Sequence, residues 1–167
     1  FKLYPPKGIS YDPNPLDDLD DVPPLALVKR SVSFGFEFGK ENDALRREYM
    51  QAYHACITFV DAQIGLVLDK LKKEKLWDDT IIVFTSDHGW GMGEKDYLYK
   101  NSLWQESTRV PFVIRAPGVS RAGGRCDRPV SLVDLYPTLL DLCGLPADTT
   151  LNPKGRPLDG HSLKALL

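Results

Sequence analysis

The sequence predicts an α/β chain, with a mostly parallel sheet flanked by helices. Three observations predict it. Residues 43–71 carry apolar side chains at steps of three and four (Tyr49, Tyr53, Cys56/Ile57, Val60, Ile64, Val67/Leu68, Leu71), the period of an amphipathic helix. The run Thr80-Ile81-Ile82-Val83-Phe84-Thr85 then has an unbroken, β-branched apolar centre too short for a helix, which suits a parallel strand buried on both faces. A long helix, a short connection and such a strand make half of a βαβ unit.

Each element follows from local chemistry. Asn42 or Asp43 can cap the first helix, and Lys72-Lys73-Glu74-Lys75 follows its end. Its stripe reads as core packing that buries Cys56, so Tyr53 and His54 are not read as a site. Val110–Arg115 is a second strand, with Pro111 tolerable near its start and Pro117-Gly118 ending it. Residues 130–143 form a second amphipathic helix stopped by Gly144, with Pro137 implying a short turn before the helix proper. Leu145–Pro157 is loop-like, and His161–Leu167 opens a last helix. No strand pattern is visible between Thr85 and Val110. A connection of that length is functional or disordered as a rule, and Trp90, Tyr97, Tyr99 and Trp104 favour a folded wall.

Proline divides the chain: six of thirteen lie in residues 1–24, none in 25–110 and seven from Pro111 onward. With Asp12, Asp17, Asp18, Asp20 and Asp21, residues 1–40 read as an extended arm lying along a larger body, and 41–167 as the body. The 167 residues allow one domain, of 43% hydrophobic and 26% charged composition, which excludes global disorder. A net charge of −2 implies no basic face for nucleic acid, and no apolar run could span a membrane. Cys56, Cys126 and Cys143 give neither a disulfide framework nor a CxxC metal pair. The chain opens on Phe1 and shows no signal segment, so an upstream part is expected to have been removed.

Chemistry concentrates in Ser86-Asp87-His88-Gly89, directly after the first strand. Ligands of open α/β sheets bind beyond the carboxyl ends of strands. Adjacent Asp87 and His88 can offer an oxygen and a nitrogen to one metal ion there. Gly89, Gly91 and Gly93 let the backbone turn sharply and approach a ligand. The plainer alternative is a turn in which Asp87 caps a helix and His88 is merely exposed. Lys100 by itself reads as a surface lysine paired with Asp96. Glu94 and Arg109 are expected to brace the loop by ion pairs.

Thr85–Glu94, then Lys100, then Glu106-Ser107-Thr108-Arg109-Val110-Pro111 resemble the C-terminal metal-site segment of the sulfatases, closest to the bacterial enzymes similar to iduronate-2-sulfatase and choline-sulfatase. Phe59–Gly65, Arg128–Leu139 and Leu158–Leu163 resemble the same family in the same order. The resemblance implies an alkaline-phosphatase-like sandwich of which only the later part is present. It implies that Asp87 and His88 are ligands of one divalent ion, usually Ca²⁺, although an imidazole favours a softer metal. It implies that Lys100 contacts the sulfate and helps the leaving oxygen, and that Trp90 forms the pocket wall. It further implies a small-molecule or carbohydrate sulfate ester as substrate and a periplasmic or secreted location.

The family's nucleophile is a formylglycine made from a C/S-x-P-x-R motif, and no Cys or Ser of this chain fits that pattern. The family's N-terminal Asp pair is also missing. Asp17-Asp18 and Asp20-Asp21 lie in a proline-rich arm with no buried strand before them. The arm instead resembles the family's mid-chain Tyr-Pro-Pro segment. The chain alone is therefore expected to be inactive, to need the missing N-terminal half as partner, and to self-associate without it. Two other readings stand: a two-metal phosphohydrolase or mutase of the alkaline-phosphatase type, with His161 as the only candidate for its extra ligand, and a non-catalytic fragment.

Overall fold

The computed structural model describes residues 1–11, 14–15, 17–24, 42–149 and 154–167, without the side chain of Asp96. The expected boundary at residue 40, Asp12 and part of the 145–157 loop lie outside the described residues. The chain forms two units, one from Phe1–Lys75 and His88–Val110, the other from Leu76–Asp87 and Pro111–Leu167.

Helix α1, Asp43–Lys73, dominates the first unit. Its charge pattern suits the helix dipole: Asp43 stands in the first turn, and Lys70, Lys72 and Lys73 in the last. Asp43 also binds Arg47 Nε at 2.8 Å one turn on. Lys75 ends the helix in left-handed conformation, φ 59°. The arm is not free of the body. It makes a 3-10 turn at Pro6–Gly8, buries Ile9 and Val22, stacks Tyr4 on His54 with ring centroids 5.3 Å apart, and bonds the Tyr4 hydroxyl to Thr58 Oγ1 at 2.6 Å.

The expectation that the α1 stripe is core is corrected. Ile57 is 52% exposed and Val67 62%, and Cys56 is exposed rather than buried. Periodicity locates an apolar stripe but does not supply what covers it. The arm and the 91–99 segment reach α1 at Arg46, Arg47, His54 and Thr58, leaving the later turns open.

The unpatterned stretch after Thr85 also folds. Strands β2 (Gly91–Met92) and β3 (Leu98–Tyr99) pair antiparallel, Gly91 opposite Tyr99 and Met92 opposite Leu98. The short helix α2 follows at Gln105–Thr108. Two-residue strands are too brief for alternation to register in sequence.

In the second unit, β1 (Ile82–Thr85) pairs with β4 (Phe112–Arg115), in register Ile82–Arg115 to Thr85–Phe112. This pairing is antiparallel, which corrects the expected parallel, doubly buried β1; Phe84 and Val113 are both exposed. A parallel neighbour requires a helical crossover, and the segment between these strands contains only the hairpin and the single turn of α2. Arg115 anchors the chain entering β1: Nη2 meets Asp78 Oδ1 at 3.1 Å, and the guanidinium lies 4.3 Å from the Trp77 ring centroid.

Helix α3, Leu135–Leu142, starts after a 3-10 turn at Leu132–Asp134, as Pro137 implied. Gly144, at φ 66°, ends it; the Leu145 amide donates to Leu140 O at 2.8 Å and the Gly144 amide to Asp141 O at 3.3 Å. The tail is a strap with a 3-10 turn at Lys164–Leu166, not an α-helix. The His161 amide donates to Asp134 Oδ1 at 2.9 Å and the Leu163 amide to the buried Thr138 Oγ1 at 2.9 Å. Ser162 Oγ and Lys164 Nζ bind Asp141 at 2.6 and 2.9 Å.

These bonds hold the Asp134 carboxyl below 3.8, chiefly through the His161 and then the Ser131 amide, and Asp141 likewise through Ser162 and then Lys164. Both carboxyls are ionised above 3.8 whether folded or unfolded, and there the strap is held fully. Its stability should fall as pH drops below 3.8 towards the lowered folded values. Hydrogen exchange between about pH 3 and 6 should show residues 160–166 loosening at the acid end. An Asp134→Asn, Asp141→Asn double variant should lose that pH step. Acid-independent exchange in the unmodified protein would refute the linkage.

Candidate functional site

The Ser86–Gly89 turn leaves β1 at its carboxyl end, as the sequence indicated. Asp87 closes its segment of the second unit with an exposed carboxylate. His88 opens the next segment of the first unit and is half-buried. Its Nδ1 lies 2.8 Å from Gly89 O. With the proton on Nδ1 and donated to that carbonyl, the ring lone pair resides on Nε2, the tautomer suited to a metal.

Gly89 is held by backbone. Its amide donates to Ser107 O at 2.7 Å. A Cβ there would stand 2.0 Å from Glu106 O, so no other residue fits without moving the chain. Ser107 is itself buried, and its Oγ lies 2.6 Å from Ser102 Oγ. These glycines lie close to the chain's own backbone. Gly89 approaches Glu106, and a Cβ at Gly91 would lie 2.8 Å from Tyr97 O.

Trp90 packs edge-on against Tyr99, with centroids 5.1 Å apart and planes at 74°. Its indole Nε1 is buried and has no hydrogen-bond partner among the described residues. An unmade bond at a buried donor costs about 1–3 kcal/mol, so such a donor marks a place for a polar group. Lys100 directly follows Tyr99 and is half-buried, and its carbonyl accepts the Ser102 amide at 2.9 Å. The hairpin therefore sets Trp90 against the residue preceding Lys100. Asp96, the alternative partner for Lys100, has its side chain outside the described residues.

Glu94 braces the loop by accepting the Met92 amide at 2.7 Å. Arg109 is exposed, and its amide closes α2 on Gln105 O at 2.8 Å. His161 is an exposed member of the strap. Among the described residues no three His, Cys, Asp or Glu side chains gather as a metal-binding group. Asp87 and His88 are one oxygen and one nitrogen donor. That pair fits part of a divalent-cation shell and falls well short of the six to eight oxygens calcium takes. Sequence reasoning missed Arg46 and Asp18. The Arg46 Nε donates to Met92 O at 2.7 Å, and Asp18 Oδ1 pairs with Lys95 at 2.7 Å. Both contacts span long sequence separations that no local pattern announces.

Comparison with known proteins places this geometry. The sulfatase family model matches residues 25–145. A sulfatase of Formosa agariphila is 39% identical over 153 residues, covering 88% of this chain and 29% of its own. Mouse iduronate 2-sulfatase is 31% identical over 179 residues, covering 87% of this chain and 32% of its own. The phosphonate monoester hydrolase from Silicibacter pomeroyi superposes with a TM-score of 0.76 at 27% identity, over 97% of this chain and 32% of that one. The chain thus spans about a third of the length of these relatives. Its fold class is alkaline-phosphatase-like α/β, and the chain belongs to the sulfatase family.

Proposed function

We propose that the protein carrying this chain hydrolyses sulfuric esters, and that this segment supplies part of its cation and sulfate site. The observation that carries the reading is the Asp87–His88–Gly89 turn at the end of β1, in a chain of the sulfatase family. Asp87 and His88 would hold a divalent cation, calcium on the family resemblance, which when bound would stabilise charge on the ester oxygens. The Lys100 ammonium would stabilise charge developing on the leaving oxygen. The Trp90 Nε1 would donate to an oxygen of the bound ester, satisfying its unmet bond. The attacking group would come from outside this chain, which has no C/S-x-P-x-R sequence. The substrate would be a small-molecule or carbohydrate sulfate, and the protein would work in the periplasm or outside the cell. No helix among the described residues is long and apolar enough to cross a membrane. The open stripe of α1 is where further catalytic-domain structure would pack, or a second copy of residues 1–167 expressed alone.

The likeness to a phosphonate monoester hydrolase favours a second reading, hydrolysis of phosphate or phosphonate monoesters. One experiment separates them. The full protein is assayed with aryl sulfate, aryl phosphate and phenyl phosphonate monoester, and its metal content is measured. The first reading expects preference for the sulfate, one metal per protein, loss of that metal in Asp87→Asn and no effect of His161→Ala. Two metals and preference for a phosphorus ester would favour the second.

A further inference from the structure

We infer that Arg46 is a positioning residue that, through the bend of the β2–β3 hairpin, sets the placement of Trp90 and Lys100; this rests on the proposed function. Arg46 lies in the first turns of α1 and is only 8% exposed. A buried guanidinium is tolerated only where its donors and faces are matched. Its Nε donates to Met92 O at 2.7 Å. One face is covered by Tyr11, whose ring centroid lies 3.9 Å from Cζ. Beside it runs the backbone of Gly93, where a Cβ would stand 2.7 to 2.9 Å from Cζ, Nε and Nη2. Gly93 also has φ 115°, so glycine is required there both for its backbone and for the approach of the arginine.

The arm adds two more holds on the same bend. Asn14 Nδ2 donates to Gly93 O, and Lys95 Nζ donates to Asp18 Oδ1 at 2.7 Å. At the far end of the hairpin, Tyr99 has φ 147°, a conformation L-residues rarely adopt. Strain of this kind persists only where the surroundings over-determine it. Relaxing Tyr99 would reorient its peptide link to Lys100 and move its ring away from Trp90. Two separate elements, α1 and the arm, thus grip a short hairpin whose strained end adjoins the proposed sulfate-binding lysine. A planar, permanently charged fork wedged between a ring and a backbone cannot be replaced by the flexible ammonium of lysine.

The test uses the full protein with Arg46→Lys and, as a milder variant that keeps the arginine, Tyr11→Leu. Hydrogen exchange of residues 91–99 should quicken in both while the later turns of α1 keep their protection. In the sulfatase assay Arg46→Lys should lower kcat by about 10- to 100-fold, the cost of a misplaced group near the chemistry. In a Lys100→Ala background the same substitution should have a clearly smaller further effect, because one of the two groups it positions is gone. Full additivity of the two substitutions, or unchanged hairpin exchange in both variants, would overturn the inference. Absence of sulfatase turnover in the unmodified protein would instead overturn the proposed function, and hairpin exchange would still decide whether Arg46 holds the loop.

Discussion

Lys100→Ala in the full protein should cut kcat/KM for a sulfate ester by about 30- to 1000-fold, equivalent to roughly 2–4 kcal/mol of transition-state stabilisation. Sulfate esters carry negative charge before reaction, and more collects on the leaving oxygen as the S–O bond breaks. An ammonium aimed at that oxygen acts most strongly in the transition state, so the loss should fall on kcat more than on KM. Lys100 is half-buried just past a two-residue strand, so its removal should shift the melting temperature little. Near-normal turnover in the variant would remove Lys100 from the proposed machinery. A matching loss of activity and stability would reassign it to holding the loop together.

Gly89→Ala should cost stability as well as activity. The new methyl would meet the Glu106 carbonyl oxygen at 2.0 Å and its carbon at 3.0 Å, both backbone atoms with no rotamer to yield. Relief requires the turn to move off α2, and that breaks the 2.7 Å bond from the Gly89 amide to Ser107. Stability should fall by about 1–3 kcal/mol, the usual cost of overpacking. Activity should fall by about 100-fold, because the displaced turn carries His88 and Trp90 on either side of the clash. Gly65→Ala is the control: that glycine sits within α1 with nothing within 4 Å of the added Cβ, so alanine should be neutral or stabilising there. Denaturant titrations and kcat/KM on both variants decide it. Ordinary stability and activity in Gly89→Ala would mean that the turn is slack.

The elements that proved legible are those whose signal lies within a few turns of chain. The α1 period, the β-branched run of β1, Pro137 in the first turn of α3 and Gly144 after it each encode structure locally, and each element appears within a few residues of its expected place. Asp87 and His88 are marked out locally, by their place after a strand, whereas the expected roles of Trp90 and Lys100 come from the family resemblance. What remained illegible depends on partners distant in sequence. The apolar stripe of α1 gave no hint that it stays open around Ile57 and Val67, because periodicity encodes a face and not its neighbour. The antiparallel sense of β1 and β4 depends on how the intervening segment folds back, and a buried-strand pattern carries no direction. The close approaches of Gly89, Gly91 and Gly93 to Glu106, Tyr97 and Arg46 likewise depend on residues that no local pattern names.

Neither unit is continuous along the polypeptide. Leu76–Asp87 of the second interrupts the first, and His88–Val110 of the first interrupts the second. Synthesis from the N-terminus therefore cannot finish either unit before beginning the other. Helix α1 and the arm must wait for the 91–99 segment, and their unit is complete only once Val110 has left the ribosome. The strand β1 waits in the same way, since β4 follows it. Chains of this kind gain their long-range contacts late, which slows folding and prolongs exposure of apolar surface. Yield during expression should thus depend more on chaperone supply and temperature than on the final stability of either unit.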